Sequence, residues 1–286
     1  LRIQTRTSRT SRTDYDFEKP RLSLVSTSRG DTENQQPDLE DYDYPGRFTD
    51  RARGRLLSQR ALERHRADHR QGQGHGDQAT LVSGHFLEMS DPPRTEGNAL
   101  WLLTEVVHEG KQPQVREESV TSDTRDDRDG FHQGYRNRFV ATPWDVVYRP
   151  PLKHPKPRVL GSQTARVTGP RGEEIHCDQY GRVKVQFHWD REGQGDDKSS
   201  CWVRVSSSWA GDRYGGISIP RVGMEVLVTF LEGDPDQPLV TGCLYHKEHA
   251  VPYALPANKT RSVFKTLSSP GGAGFNELRI EDKKGA

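Results

Sequence analysis

The sequence predicts a mainly β protein whose second half closes a small barrel. Three observations carry this. Between Cys177 and Tyr245, apolar residues recur at every second position. Val183, Val185, Phe187 and Trp189 alternate with Arg182, Lys184, Gln186 and His188, and Met224, Val226, Val228 and Phe230 repeat the pattern. Cys201, Val203 and Val205, the shorter pair Ile217 and Ile219, and the run Leu239 to Tyr245 bring the count to five strands within about 70 residues. Turn-rich segments such as Gly193 to Asp197 and Gly233 to Pro238 separate them. Five short strands suit a closed or half-closed barrel, because closure removes exposed sheet edges. Gly242, inside the last run, marks a bulge or a close backbone contact.

Composition agrees with small β-domains. The chain has 286 residues, of which 31% are apolar and 29% charged, lean for one large core but sufficient for two domains with long loops. The net charge of +1 creates no global field that would gather nucleic acid or a membrane surface. No apolar run approaches the roughly 18 residues a bilayer span needs. The N-terminal LRIQTRTSRTSRTDYDF is basic with no apolar core behind it, so it is not a secretory signal peptide, and the missing initiator Met reads as a fragment. Cys177, Cys201 and Cys243 are odd in number and widely spaced. They form no disulfide framework and read as small buried residues of a reducing compartment.

Taken in order, residues 1 to 38 are polar, Tyr15-Asp-Phe-Glu-Lys-Pro20 is their one patterned piece, and 21 to 38 read as a loop. Pro45-Gly46 signals a turn. Residues 50 to 70 read as a surface helix with Asp50 as N-cap and a narrow face of Ala52, Leu56, Leu57 and Ala61. The glycines of Gly72 to Gly76 end it. Thr80 to Met89 reads as a strand interrupted at Gly84, and Asp91-Pro-Pro93 as a turn. Ala99 to Glu109 is strongly β, with Leu100, Leu102, Thr104, Val106 and His108 on one face and Trp101, Leu103, Glu105 and Val107 on the other. Gln112 to Gly130 is a mixed-charge exposed loop whose acidic cluster lacks the spacing of a calcium loop. Asn137 to Ala141 and Trp144 to Tyr148 read as short strands. The prolines from Pro150 to Pro157 cannot continue a sheet or helix, so they make an extended linker and a domain boundary near 150 to 160. Residues 257 to 274 read as loop.

DQYGRVKVQFHWD, CWVRV, IPRVGMEVLVTFLEGDPDQPLVTG and NELRIEDKKG, in this order along the chain, resemble the VgrG family, the spike proteins of the bacterial type VI secretion system. The resemblance implies a five-stranded OB-fold over 166–250, similar to the OB domain of contractile-tailed phage spikes. It implies a partial β-rich phage-hub-like base domain with one helix over 1–150, joined through a linker at 151–165, and the start of a C-terminal β-helical needle within 251–286. Tyr15 to Pro20 matches a segment that crosses the family's base domain as an extended strand. Tyr44-Pro-Gly46 matches the element before its helix. The implied function is mechanical. A homotrimer caps the Hcp tube, carries a PAAR protein at its tip and effectors with it, and is driven by sheath contraction into a neighbouring cell. Such a protein waits in the bacterial cytoplasm and leaves through the apparatus without a signal peptide. It meets the target membrane only by puncture and binds no nucleic acid. A full base domain would place more sequence upstream of Tyr15.

The residues themselves offer no catalytic, cofactor or metal site. Cys243, His246 and His249 have zinc-like spacing but lack an evident fourth ligand. No G-x-S-x-G, P-loop or dinucleotide fingerprint occurs. His176 neighbours Cys177, but adjacent strand residues point to opposite sides. His188 points outward or into an inter-subunit contact. Asp234 and Asp236 are explained by turn formation rather than as a glycosidase pair. The alternative from another class is an OB-fold module that binds an oligonucleotide or oligosaccharide. Phe187 and Trp189 sit on the face away from Arg182 and Lys184, which favours core packing, whereas Trp202 and Arg204 share a face and keep that alternative open.

Overall fold

A computed structural model describes residues 1–30, 38–90, 99–112, 131 and 133–285. The mixed-charge loop expected from Gln112 to Gly130 and the turn at Asp91-Pro-Pro93 lie, apart from Gln112 itself, outside the described residues. The chain forms two compact units, Leu1–Lys153 and His154–Ala286.

The first unit holds a three-stranded and a five-stranded sheet. In the smaller one, β2 (Arg9–Asp14) pairs antiparallel with β3 (Leu24–Arg29) and parallel with β4 (Glu40–Asp43). Two expectations are corrected here. Tyr15 to Pro20 is a turn just after the strand rather than the strand itself, and the segment expected to be loop contains β3.

One face of this sheet is covered by helix α1 (Arg51–Arg66), whose Asp50 side chain caps the Arg53 N–H at 2.8 Å. The buried helix positions are Gly54, Ser58, Ala61 and Leu62, a turn-by-turn stripe; of the face read from apolarity only Ala61 is buried, while Ala52 and Leu56 are exposed and Leu57 is half-buried. Small size decides it. A Cβ on Gly54 would lie 2.6 Å from the Phe48 ring, and Ser58 replaces apolar contact with hydrogen bonds, accepting at its carbonyl from Thr10 (2.7 Å) and donating to the Ser26 carbonyl (3.1 Å). Apolar scoring ranks Gly and Ser low even where close approach to a sheet needs them.

The larger sheet runs β1 (Arg2–Ile3), β5 (Arg70–Gly76), β8 (Gly134–Pro143), β7 (Leu100–Lys111), β6 (Phe86–Glu88). The glycines expected to end the helix are instead part of strand β5. They alternate because large rings lie over them: a Cβ on Gly74 would meet Phe139 Cζ at 2.2 Å, and one on Gly72 would meet Trp101 at 3.4 Å. The strand expected from Thr80 to Met89 shrinks to β6, with Gly84 in the left-handed region (φ 85°) just before it. Trp144 to Tyr148, expected to be a strand, instead turns at Trp144 and Asp145 and continues without regular structure. The two faces expected for β7 also change along the strand. Leu103 pairs with Ala141 and Glu105 with Val140, so Thr104 is an extra residue. That bulge brings Val106 to the same core cluster as Trp101 and Leu103.

The second unit is a barrel in the order β10 (Lys184–Phe187), β9 (Gln163–Thr168), β12 (Glu225–Phe230), β13 (Pro238–Leu244), β11 (Arg204–Val205). Ala165, Val167, Val183, Val185, Val203, Val226, Val228 and Val240 fill it, each at most 1% exposed. The strand count is as expected, but its membership is not. Ile217 and Ile219 form no strand, Ile219 only packing against the core, while β9 supplies an interior strand between β10 and β12. Only Ala165 and Val167 mark β9 as apolar, and its flanking Gln, Thr and Arg hide it. The bulge near Gly242 is present: Leu227 pairs with Gly242 and Val228 with Val240.

Trp189 is 69% exposed and stacks on Phe187 at 5.3 Å rather than entering the core. The cysteines are exposed, not buried, and none of them is part of the barrel's core cluster. After the barrel, β14 (Arg261–Lys265), within the expected loop, pairs antiparallel with β15 (Glu277–Glu281).

Candidate functional site

The residues with any chemical promise are placed apart or already engaged. Asp234 and Asp236 make the turn expected of them: the Asp234 carboxylate accepts the Asp236 N–H at 2.8 Å, and its carbonyl accepts that of Gln237 at 2.9 Å. The rings of His246 and His249 stand 4.5 Å apart, yet among the described residues no group of three metal-ligating side chains comes together. Desolvation raises the Cys243 thiol above its usual range, which works against the thiolate a metal needs. His176 contacts Glu173 through Nδ1 (3.3 Å) and packs on the Trp202 ring (5.0 Å). His188 is largely exposed, as expected, with Nε2 4.0 Å from Glu225.

Trp202, the residue that kept a nucleic-acid reading open, has Lys184 Nζ 5.0 Å from its ring in addition to His176. That Lys184 also donates to the Asp197 carbonyl at 2.6 Å. The Trp202 ring and Lys184 are thus engaged with each other within the chain, while Arg204 stands exposed in β11.

What the fold does present is apolar surface on well-formed elements. On the β14–β15 hairpin, Phe264 faces Leu278 in the ladder and Ser262 faces Ile280. Residues paired across an antiparallel ladder share a face. Phe264, Leu278 and Ile280 are 60%, 68% and 56% exposed. The opposite face is polar and paired: Arg261 to Glu281 (3.0 Å), Lys265 to Glu277 (3.7 Å), and Tyr253 Oη donating to Glu277 (2.6 Å). Hydrogen bonds from Thr260 and Arg261 hold the Glu281 carboxyl below its usual range.

A second display is the loop between β11 and β12. Trp209 and Tyr214 meet edge to face at 5.7 Å, Ala210 bridges Gly215, and both rings are about two-thirds exposed at 67% and 63%. Sequence reasoning missed this loop because its aromatics lack strand periodicity. Nor did it find Phe264, which stands in a segment expected to be loop.

A helix-backed β-unit followed in the chain by a small OB-type barrel is the architecture of the phage-tail hub and injector class. Residues 1–114 match the family model of the phage tail baseplate hub, and residues 173–245 match that of the type VI secretion system/phage-baseplate injector OB domain. The whole chain is 74% identical to the type VI secretion system spike protein VgrG4b of Pseudomonas aeruginosa over 286 residues, which cover 35% of that relative. It is 69% identical to VgrG5 of the same organism over 285 residues, covering 36% of it. A solved E. coli component of the type VI secretion system, described as structurally similar to the T4 bacteriophage tail proteins gp27 and gp5, aligns with TM-score 0.47 and 18% identity over 82% of this chain and 56% of that one. The chain belongs to the VgrG family, and it spans about a third of the length of the curated relatives it matches.

Proposed function

We propose that these residues are the hub and barrel portion of a type VI secretion spike, a homotrimeric puncturing device that caps the Hcp tube, carries a PAAR tip protein and travels with effectors. The observation that carries this reading is the 74% identity along the entire chain to a spike protein, with hub and OB matches in the same order. On this reading residues 1–150 are the base, 151–165 the linker, 166–250 the OB barrel with its first strand reaching back to Gln163, and 251–286 the approach to the needle. The protein has no catalytic, cofactor or metal residue and acts by mechanical force. It is held in the bacterial cytoplasm until firing, leaves through the apparatus itself, and binds no nucleic acid. A valine-filled barrel supports that role, because a close-packed interior transmits load with little compression.

The experiment follows the full protein, tagged, in a bacterium with an active apparatus. It is expected in the medium when the sheath contracts and absent from the medium of a sheath-less strain. Equal release from both strains would overturn the reading.

A further inference from the structure

Glu174, in the loop between β9 and β10, is tied twice within the barrel unit. Its carbonyl accepts the Val222 N–H at 3.0 Å. Its carboxylate reaches the loop at the tip of the β14–β15 hairpin, about a hundred residues further along the chain: Ser269 Oγ donates to Oε2 at 2.6 Å and the Gly271 N–H donates to Oε1 at 2.7 Å. Arg221 completes the arrangement, with Nη1 3.8 Å from Glu174 Oε2 and Nη2 donating to the Leu267 carbonyl at 2.5 Å. Both carboxylate oxygens are thus spent on one loop, and the cation beside them holds the same loop by its backbone. Gly271 has φ 59°, a conformation that glycine adopts without strain and that turns its N–H to the carboxylate.

We propose that Glu174 and Arg221 form a latch that locks the β14–β15 hairpin against the barrel and sets the direction in which the chain leaves it. A hairpin of two strands is marginal on its own, so its orientation must come from outside contacts. Charge-assisted hydrogen bonds are roughly twice as strong as neutral ones, and two of them converge on this carboxylate. The arginine is the one in the IPRVGMEV segment, just before β12, so a single short stretch both enters the barrel core at Val226 and grips the hairpin loop. The mechanical consequence, a stiff joint between barrel and exit strand, rests on the spike reading. The latch itself does not, and it is tested separately from release into the medium.

Amide hydrogen exchange decides it. In E174A, the amides of Gly271, Ser268 and Thr266 are expected to exchange about tenfold faster or more, while those of Val183 and Val203 in the barrel keep their protection. Unchanged loop exchange with an intact barrel would overturn the proposal. If E174A also loosens the barrel, S269A decides, because Ser269 lies outside it: faster exchange at Gly271 upholds the latch, and unchanged exchange rejects it.

Discussion

Val183 and Val203 exchange both of their backbone hydrogen bonds, at 2.9 and 2.8 Å, and so join the two ends of the barrel's strand order. Neither residue lies in a regular strand, yet both are at most 1% exposed. This one bridge draws the two end strands of the five-stranded sheet together around the valine core and shortens the edges that would otherwise invite pairing with another chain.

Facing in the adjoining strand is tested by two neighbours. Val185 is fully buried, whereas Lys184 lies half out, its Nζ over Trp202. Val185→Asp places an unpaired carboxylate among valines and is expected to cost several kcal/mol or prevent folding. Lys184→Asp forfeits a hydrogen bond and a ring contact, about 1 to 2 kcal/mol. Urea unfolding followed by tryptophan fluorescence measures both, and equal losses would reverse the assigned facing.

The Gly74–Phe139 contact predicts a rescue. Gly74→Ala puts a methyl where the Phe139 ring stands, and is expected to destabilise the first unit by about 1 to 3 kcal/mol. In Phe139→Ala the ring is gone, so adding Gly74→Ala there should cost much less. Gly110→Ala, with open space around its position, serves as control. Thermal melts of the single and double variants give the coupling, and simple additivity would exclude the ring-over-glycine account.

Acid should loosen the barrel through Asp178. Burial pushes its carboxyl pKa up, but the Arg182 backbone N–H (3.0 Å), the Arg182 guanidinium (2.6 Å) and the Tyr180 N–H (3.0 Å) outweigh this, leaving it below the usual 3.8. A folded pKa below the unfolded one contributes stability above the unfolded value, and that contribution disappears as pH falls through the folded value. The loss therefore belongs below about pH 4. Asp178→Asn should be less stable at neutral pH and show a shallower decline on acidification. Denaturant midpoints taken from neutral pH down to about pH 2 make the comparison, and parallel acid slopes in the two proteins would remove Asp178 from the account.

Self-association of these 286 residues alone is expected to be weak at micromolar concentration. On the hairpin, Phe264, Leu278 and Ile280 offer roughly a few hundred Å² per chain, short of the roughly 1,000 Å² or more that each partner of an obligate interface buries. Association entropy alone costs several kcal/mol. Sedimentation equilibrium should find monomer, with trimer emerging when the sequence is extended through the needle. A tight trimer of the shorter chain would transfer the interface to the hub and barrel surfaces.

Legible in the residues alone were the mainly β class, the valine strands at 183–187 and 224–230, the Asp50-capped helix and the bulge beside Gly242. Each is a local pattern: alternation of apolar side chains, a capping residue before a helix, glycine inside a strand. The sequence also carried the family in ordered short motifs. Which residues of the helix face inward depends on the packed fold, since Gly54 and Ser58 are chosen for closeness to Phe48 and Ser26 rather than for apolarity. The same holds for β5, whose alternate glycines become legible only with Phe139 and Trp101 above them, and for β9, buried by its two neighbours despite a polar sequence. The bulge at Thr104, which moves Val106 to the other face, depends on pairing with β8 across a long separation. Periodicity reports what one segment prefers in isolation, whereas packing partners distant in sequence set close approach, strand neighbours and register.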